Sequence, residues 1–165
     1  MTRHHLNAYH EDSSYVLRGS RDVALLTLEV LRSSLTPPLS STMFVQHGTH
    51  DEQQRDWGRD GLLVGLDGIH MEGSMRYHSQ ALGTSFAIGR EARDRLAYHS
   101  PGLHEERFPQ NALLDLGEIV EAVEEFRRTA RRPSGFSWLI VLDPPSRPAV
   151  VNPHMSNRQG HRGRD

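Results

Sequence analysis

The sequence predicts an α+β fold, an antiparallel sheet of about five to seven strands with two main helices packed on it. Three observations lead there. Five short apolar runs separated by glycine-containing turns fill residues 42–100, a helix-forming run precedes them, and an amphipathic run followed by a last apolar one comes after.

Length and composition set the frame for those elements. A chain of 165 residues can build one sizeable core, and nothing in it calls for two. Only 36% of it is hydrophobic and mean hydropathy is -0.60, yet the apolar residues fall in runs, so the middle is expected to fold. Residues 15–142 are read as a single domain behind a flexible N-terminus at 1–14. Residues 143–165 carry four prolines and four arginines against two aspartates and are read as a disordered tail.

The first helix is expected at Ser20, which caps RDVALLTLEVLRSS, and is stopped by Thr36-Pro37-Pro38. Val23, Leu26 and Val30 share one of its faces while Leu25, Leu28 and Leu31 occupy much of the rest, so it should be covered on more than one side. Strands are expected at 42–47, 62–68, 74–79, 84–89 and 95–100 as an antiparallel meander. Residues 107–114, RFPQNALL, read as one more strand, extended around the proline. Asp115 then caps a second helix, with Glu118 three residues on as in a capping box. Its apolar face is Leu116, Ile119, Val120, Val123 and Phe126, and Glu118, Glu121, Glu124, Glu125 and Arg128 lie opposite. Arg131 and Arg132 complement the helix dipole, Pro133 stops the helix, and GFSWLIV at 135–141 returns as a final strand.

Several chemistries are excluded by composition and spacing. There is no cysteine, hence no disulfide, thiol nucleophile or thiolate metal site. All 19 basic residues are arginine, which removes Schiff-base and P-loop lysines. No apolar run approaches the roughly 20 residues of a membrane span, and the first residues lack the core of a secretion signal, so a cytoplasmic protein without a membrane partner is expected. His104-Glu105 lacks the second histidine of a zinc-protease helix, because Phe108 stands there. His70-Met71-Glu72 matches the first half of a zinc deaminase signature whose cysteine pair is missing. Residues 83–87 and 135–139 both miss the last glycine of a serine-nucleophile elbow. No catalytic residue, metal ligand or cofactor is therefore assigned.

Charge is more informative. From Glu105 to Phe126 seven acids stand against Arg107 alone, a local charge of -6 in a chain of net charge -2. The segment reads either as a solvated helix face or as a surface complementary to a basic partner, one that itself acts on nucleic acid; it would repel nucleic acid directly. Trp138 reads either as a core aromatic of the last strand or as an exposed anchor.

With these segments in place, the sequence resembles immunity protein family one, the immunity proteins of bacterial polymorphic and contact-delivered toxin systems, over about Tyr15 to Leu142. The resemblance rests on LLVGLDG followed by GSMRYH, on TSFAIG, on LAYHSPGLHEERFP, on LGEIVEAVEEFRRTARR and on RRPSGFSW. It implies an α+β cytoplasmic protein that binds and neutralises a cognate toxin, often a deaminase acting on nucleic acid, with no catalytic residue to carry over. Arg132, Pro133 and Trp138 fall on its closing segment and are read, with Asp115, as structural. The long Arg/Pro tail and the His-rich insertion at 45–61 depart from the family pattern.

The expected function is stoichiometric inhibition of that toxin by a monomer or homodimer, with His104, Glu105, Glu106, Glu118, Glu121 and Glu125 as partner-binding candidates. LAYHSPGLHEERFP is expected to be a strand and a Pro-bounded loop that contacts the toxin. The alternatives are a small metal-assisted hydrolase built from dispersed His, Asp and Glu, and a nucleic-acid-binding module acting through the arginine tail.

Overall fold

Strands, more than helices, build the described part of this chain. A computed structural model describes residues 5–36, 39–48, 59–100 and 104–141. The tail, the first four residues, Pro37-Pro38, most of the His-rich insertion and Pro101 to Leu103 lie outside the described residues. Ten strands and two helices follow: β1 Leu6–His10, β2 Ser13–Leu17, α1 Ser20–Ser33, β3 Thr42–His47, β4 Gly61–Asp67, β5 Glu72–Ser79, β6 Gly83–Ile88, β7 Ala97–Ser100, β8 His104–Arg107, β9 Leu114–Asp115, α2 Leu116–Thr129 and β10 Ser137–Val141. None of these helices is long and apolar enough to cross a membrane.

The class is as expected, α+β, but the sheet is larger. Eight strands form one antiparallel sheet in the order β10-β6-β5-β4-β3-β1-β2, with β9 beside β5, and β7 and β8 make a separate two-stranded ribbon. Two of the added strands come from the N-terminus, which was expected to be loose. Leu6, Ala8 and Tyr9 are buried, and β1 pairs with both β2 and β3, so residues 6–14 belong to the folded unit. The single expected strand at 107–114 is instead the last residue of β8, a bent connection and the first residue of β9. Proline and the buried Phe108 turn the chain there.

The two faces of the sheet carry different cores. Leu6, Ala8, Met43, Val45, Leu62, Val64, Leu66, Met75, Tyr77 and Ala87 point to the side on which Val23, Leu26, Val30, Ile119, Val123 and Phe126 of the two helices pack. On the other side Tyr9, Phe44 and Leu63 meet Tyr98, Phe108 and Ala112 of the ribbon and its return. The period-two geometry of strands separates these sets, both of which are drawn from β1, β3 and β4. Helices, sheet and ribbon are thus three layers.

Both helices begin and end through local chemistry. The N-cap of α1 is Gly19, one residue before the expected Ser20, and the Asp22 carboxylate accepts the amides of Arg18 and Gly19 at 2.8 and 3.2 Å. Only one face of α1 is covered: Leu25 and Leu28 are 55% and 58% exposed, contrary to the expectation of burial on several sides. In α2, Asp115 is the N-cap and Glu118 accepts its amide at 2.8 Å. Ala130, at φ 55°, ends that helix in the left-handed conformation. Two histidines tie the helices to the sheet. Buried His10 donates from Nδ1 to the Thr42 carbonyl at 2.9 Å and meets Ser33 Oγ through Nε2 at 3.1 Å, and His47 Nε2 meets the Phe126 carbonyl at 2.7 Å.

Candidate functional site

The sheet divides the candidate residues. His104, Glu105 and Glu106 belong to β8 in the ribbon, whereas Glu118, Glu121 and Glu125 belong to α2 on the opposite face. Sequence proximity had merged two surfaces into one acidic segment.

The ribbon carboxylates already have partners. Glu106 opposes Tyr98 in the register, faces the sheet and accepts from Arg76 Nη1 at 3.3 Å. Glu105 points outward, in contact with Arg95 and accepting from Arg107 Nε at 2.7 Å. The hydrogen bond from Arg107, helped by the Arg95 charge, holds the Glu105 carboxyl below its ordinary value. His104 is exposed beside them.

On α2 the acids differ in what they do. Glu118 closes the capping box, and Asp115 accepts from Arg90 Nη2 at 2.6 Å. Glu124 is half-buried and pairs with Arg127 at 2.8 Å, three residues on. Glu125 Oε1 accepts the Ser134 amide at 2.9 Å and so fastens the turn after the helix. Glu121 is exposed, with no ion pair among the described residues.

The closing segment folds on itself. The Arg132 guanidinium lies 5.3 Å from the Trp138 ring centroid, and Trp138 Nε1 donates to the Pro133 carbonyl at 3.0 Å. Trp138 also meets Tyr77 and Phe136 edge-on, at 6.2 and 6.1 Å. It is therefore half-buried, neither wholly core nor a free anchor.

The feature that sequence reasoning did not assemble is the β4–β5 turn with the groove beside it. Asp67 Oδ1 accepts the amides of Ile69 and His70 at 2.8 and 3.3 Å, and Oδ2 accepts from His70 Nδ1 at 2.7 Å. Partial burial opposes ionisation of Asp67, but these hydrogen bonds outweigh it and its carboxyl lies below the ordinary value. The same hydrogen bond, then the Asp67 charge, raises His70. Glu72 meets Arg90 Nη2 at 3.4 Å, so Arg90 spans Glu72 and Asp115, which are paired across β5 and β9. Ligand atoms of Asp67, His70 and Glu72 lie within 4.8 Å of one another, the group among the described residues with metal-holding geometry. The Asp67-Gly68 dipeptide signalled a turn, but nothing in the sequence placed it against the ribbon.

A groove of about 260 Å³ opens between this turn and β7, with Leu66, Leu96, Tyr98 and Leu113 among its walls and Asp67 and Glu72 at its lip. Gly65 makes room for the Tyr98 ring that forms one wall: a Cβ there would stand 2.3 Å from it. Tyr98 is fixed by Ser74, its hydroxyl 3.0 Å from Ser74 Oγ, and burial pushes its phenol up to about 12. The arrangement is one of fixed carboxylates beside a depression of mixed apolar and polar lining, suited to binding.

Comparison with known families matches residues 11–139 to the model of immunity protein Imm1. No curated protein matches the chain. The matched segment runs from the β1–β2 turn into β10 and takes in both helices and the ribbon, and the chain belongs to this family.

Proposed function

We propose, with membership of the Imm1 family as premise, that this chain binds and neutralises a cognate bacterial toxin by stoichiometric protein–protein inhibition in the cytoplasm. The family match over residues 11–139 is the observation that carries the reading. The toxin is a nucleic-acid-directed effector of the deaminase type. Such a protein presents basic residues to its substrate, and the exposed carboxylates at the start and outer face of α2, Glu118 and Glu121, supply the opposite charge for encounter. The chain acts as monomer or homodimer and turns over no substrate.

The test is co-expression with the toxin domain encoded beside this gene, scoring survival and co-purification together. Survival with a one-to-one complex is expected; death without a complex refutes the reading. Because Glu125 holds Ser134, the cleaner probe of the helix charge is Glu121→Arg. It should slow association severalfold at low salt and leave the melting temperature unchanged; an unaltered association rate removes α2 from the encounter surface.

A metal-assisted hydrolase is the second reading, favoured by the Asp67, His70 and Glu72 grouping alone. Saturable stabilisation by zinc or manganese would support it, and an unmoved melting curve would dispose of it.

A further inference from the structure

The groove between the β4–β5 turn and β7 selects its occupant by size and charge. At about 260 Å³ it lies below the roughly 300–1,000 Å³ of small-molecule sites and suits one long side chain. An apolar strip of Leu66, Leu96, Tyr98 and Leu113 is joined in its lining by polar Ser41 and His99, so an occupant with an aliphatic stem and a polar head fits it. Its lip is negative: Glu72 and Asp115 share one guanidinium, that of Arg90, Asp67 is bonded to His70, and the other arginine at the groove, Arg95, is engaged by Glu105. An apolar strip under an acid-rich lip fits a basic side chain, whose stem lies along the strip while its head meets the carboxylates.

The groove is also set before anything enters it. The Ser41 amide donates to the His99 carbonyl at 2.8 Å and the His99 amide to Ser41 Oγ at 2.9 Å, tying β7 to the residue before β3. A fixed wall lowers the ordering cost of binding. Negative charge continues beyond the lip, because Glu72 pairs with Asp115 and Asp115 with Glu118 at the start of α2. A basic surface guided by α2 therefore arrives at the groove.

We infer that this groove anchors the partner: an arginine or lysine on the toxin surface inserts between Tyr98 and the β4–β5 turn and is held by Asp67 and Glu72. The inference rests on the immunity function proposed above and names the contact that function uses.

The probe is the toxin domain encoded beside this gene, in a catalytically silent form, titrated against the full chain. Asp67→Asn with Glu72→Gln removes two charges, and asparagine keeps the oxygen that holds the Ile69 and His70 amides. The dissociation constant should rise tenfold or more and lose much of its salt dependence. Glu29→Gln, an equal charge change per site on the outer face of α1, should alter it less than twofold. Leu39→Arg places bulk and positive charge on an exposed wall of the groove and should repeat the tenfold loss without touching the turn. A complex that tolerates both the double variant and Leu39→Arg overturns the groove while leaving the immunity reading intact, as does equal weakening by Glu29→Gln. No complex with the unmodified chain overturns both.

Discussion

The helix face and the ribbon face of one sheet meet different demands with the same strands. On the helix face aliphatic residues and Phe126 are closed over by two helices, and the polar atoms of His10 and His47 are bonded to backbone or hydroxyl. On the ribbon face a smaller aromatic cluster is bordered by Arg76–Glu106, by Ser74–Tyr98 and by the groove. The first arrangement maximises apolar burial; the second gives up some of it for fixed charge and an opening. Stability should therefore reside chiefly on the helix face and the anchoring groove on the ribbon face.

Phe126→Ala should have the largest effect. The ring is fully buried and sits edge-on to His47 and Tyr77, at 5.1 and 6.2 Å. Truncation should cost about 3–5 kcal/mol, measured by urea denaturation. A loss below about 1 kcal/mol would mean that the helix face does not dominate stability.

Gly65→Ala strikes the other face. The added methyl would collide with the Tyr98 ring, which is held by Ser74 and packed edge-on to Phe108 at 5.3 Å, so the ribbon must lift. The expected cost is about 1–3 kcal/mol. Amides of β7 and β8 should exchange faster while those of β3 and β4 keep their protection. Loss of protection across the whole sheet would show that the two faces are one cooperative unit.

The same division explains what was legible beforehand. Strands at 42–47 and 84–89 and the helix from Asp115 were readable because their signals are local: alternation, glycine turns, a capping box. The N-terminal strand was missed because LNAYH is short and interrupted by polar Asn7 and His10; its burial comes from pairing with β3, about 37 residues away in sequence, and local pattern is blind to that. Leu25 and Leu28 were over-read because helix composition cannot tell which leucines find a neighbour. Among the candidate residues, Arg132, Pro133 and Trp138 are close in sequence and meet in space. The acidic set is also close in sequence, yet Glu105 and Glu121 sit on opposite layers, because the chain passes from the ribbon to α2 through β9, which pairs with the start of β5. The groove depends on Asp67, Glu72 and Tyr98 coming together from three strands, which no spacing rule announces.

The smallest expected effect concerns the lip of that groove. His70 is raised from its ordinary 6.5 by the Asp67 hydrogen bond and charge, so its contribution to stability is fully present below 6.5 and is lost as pH rises through the folded-state value. Asp67 is lowered from 3.8, so its contribution is present above 3.8 and is lost as pH falls through its own folded-state value. Between those limits the turn is held as a charged pair. Proton NMR of the imidazole should therefore give a His70 midpoint above 6.5 in the unmodified chain and one shifted down toward 6.5 in Asp67→Asn, with almost no change in melting temperature. An unshifted His70 would mean that Asp67 is not pinned in solution, and the ribbon face would then present a mobile carboxylate where the comparison of the two faces requires a fixed one.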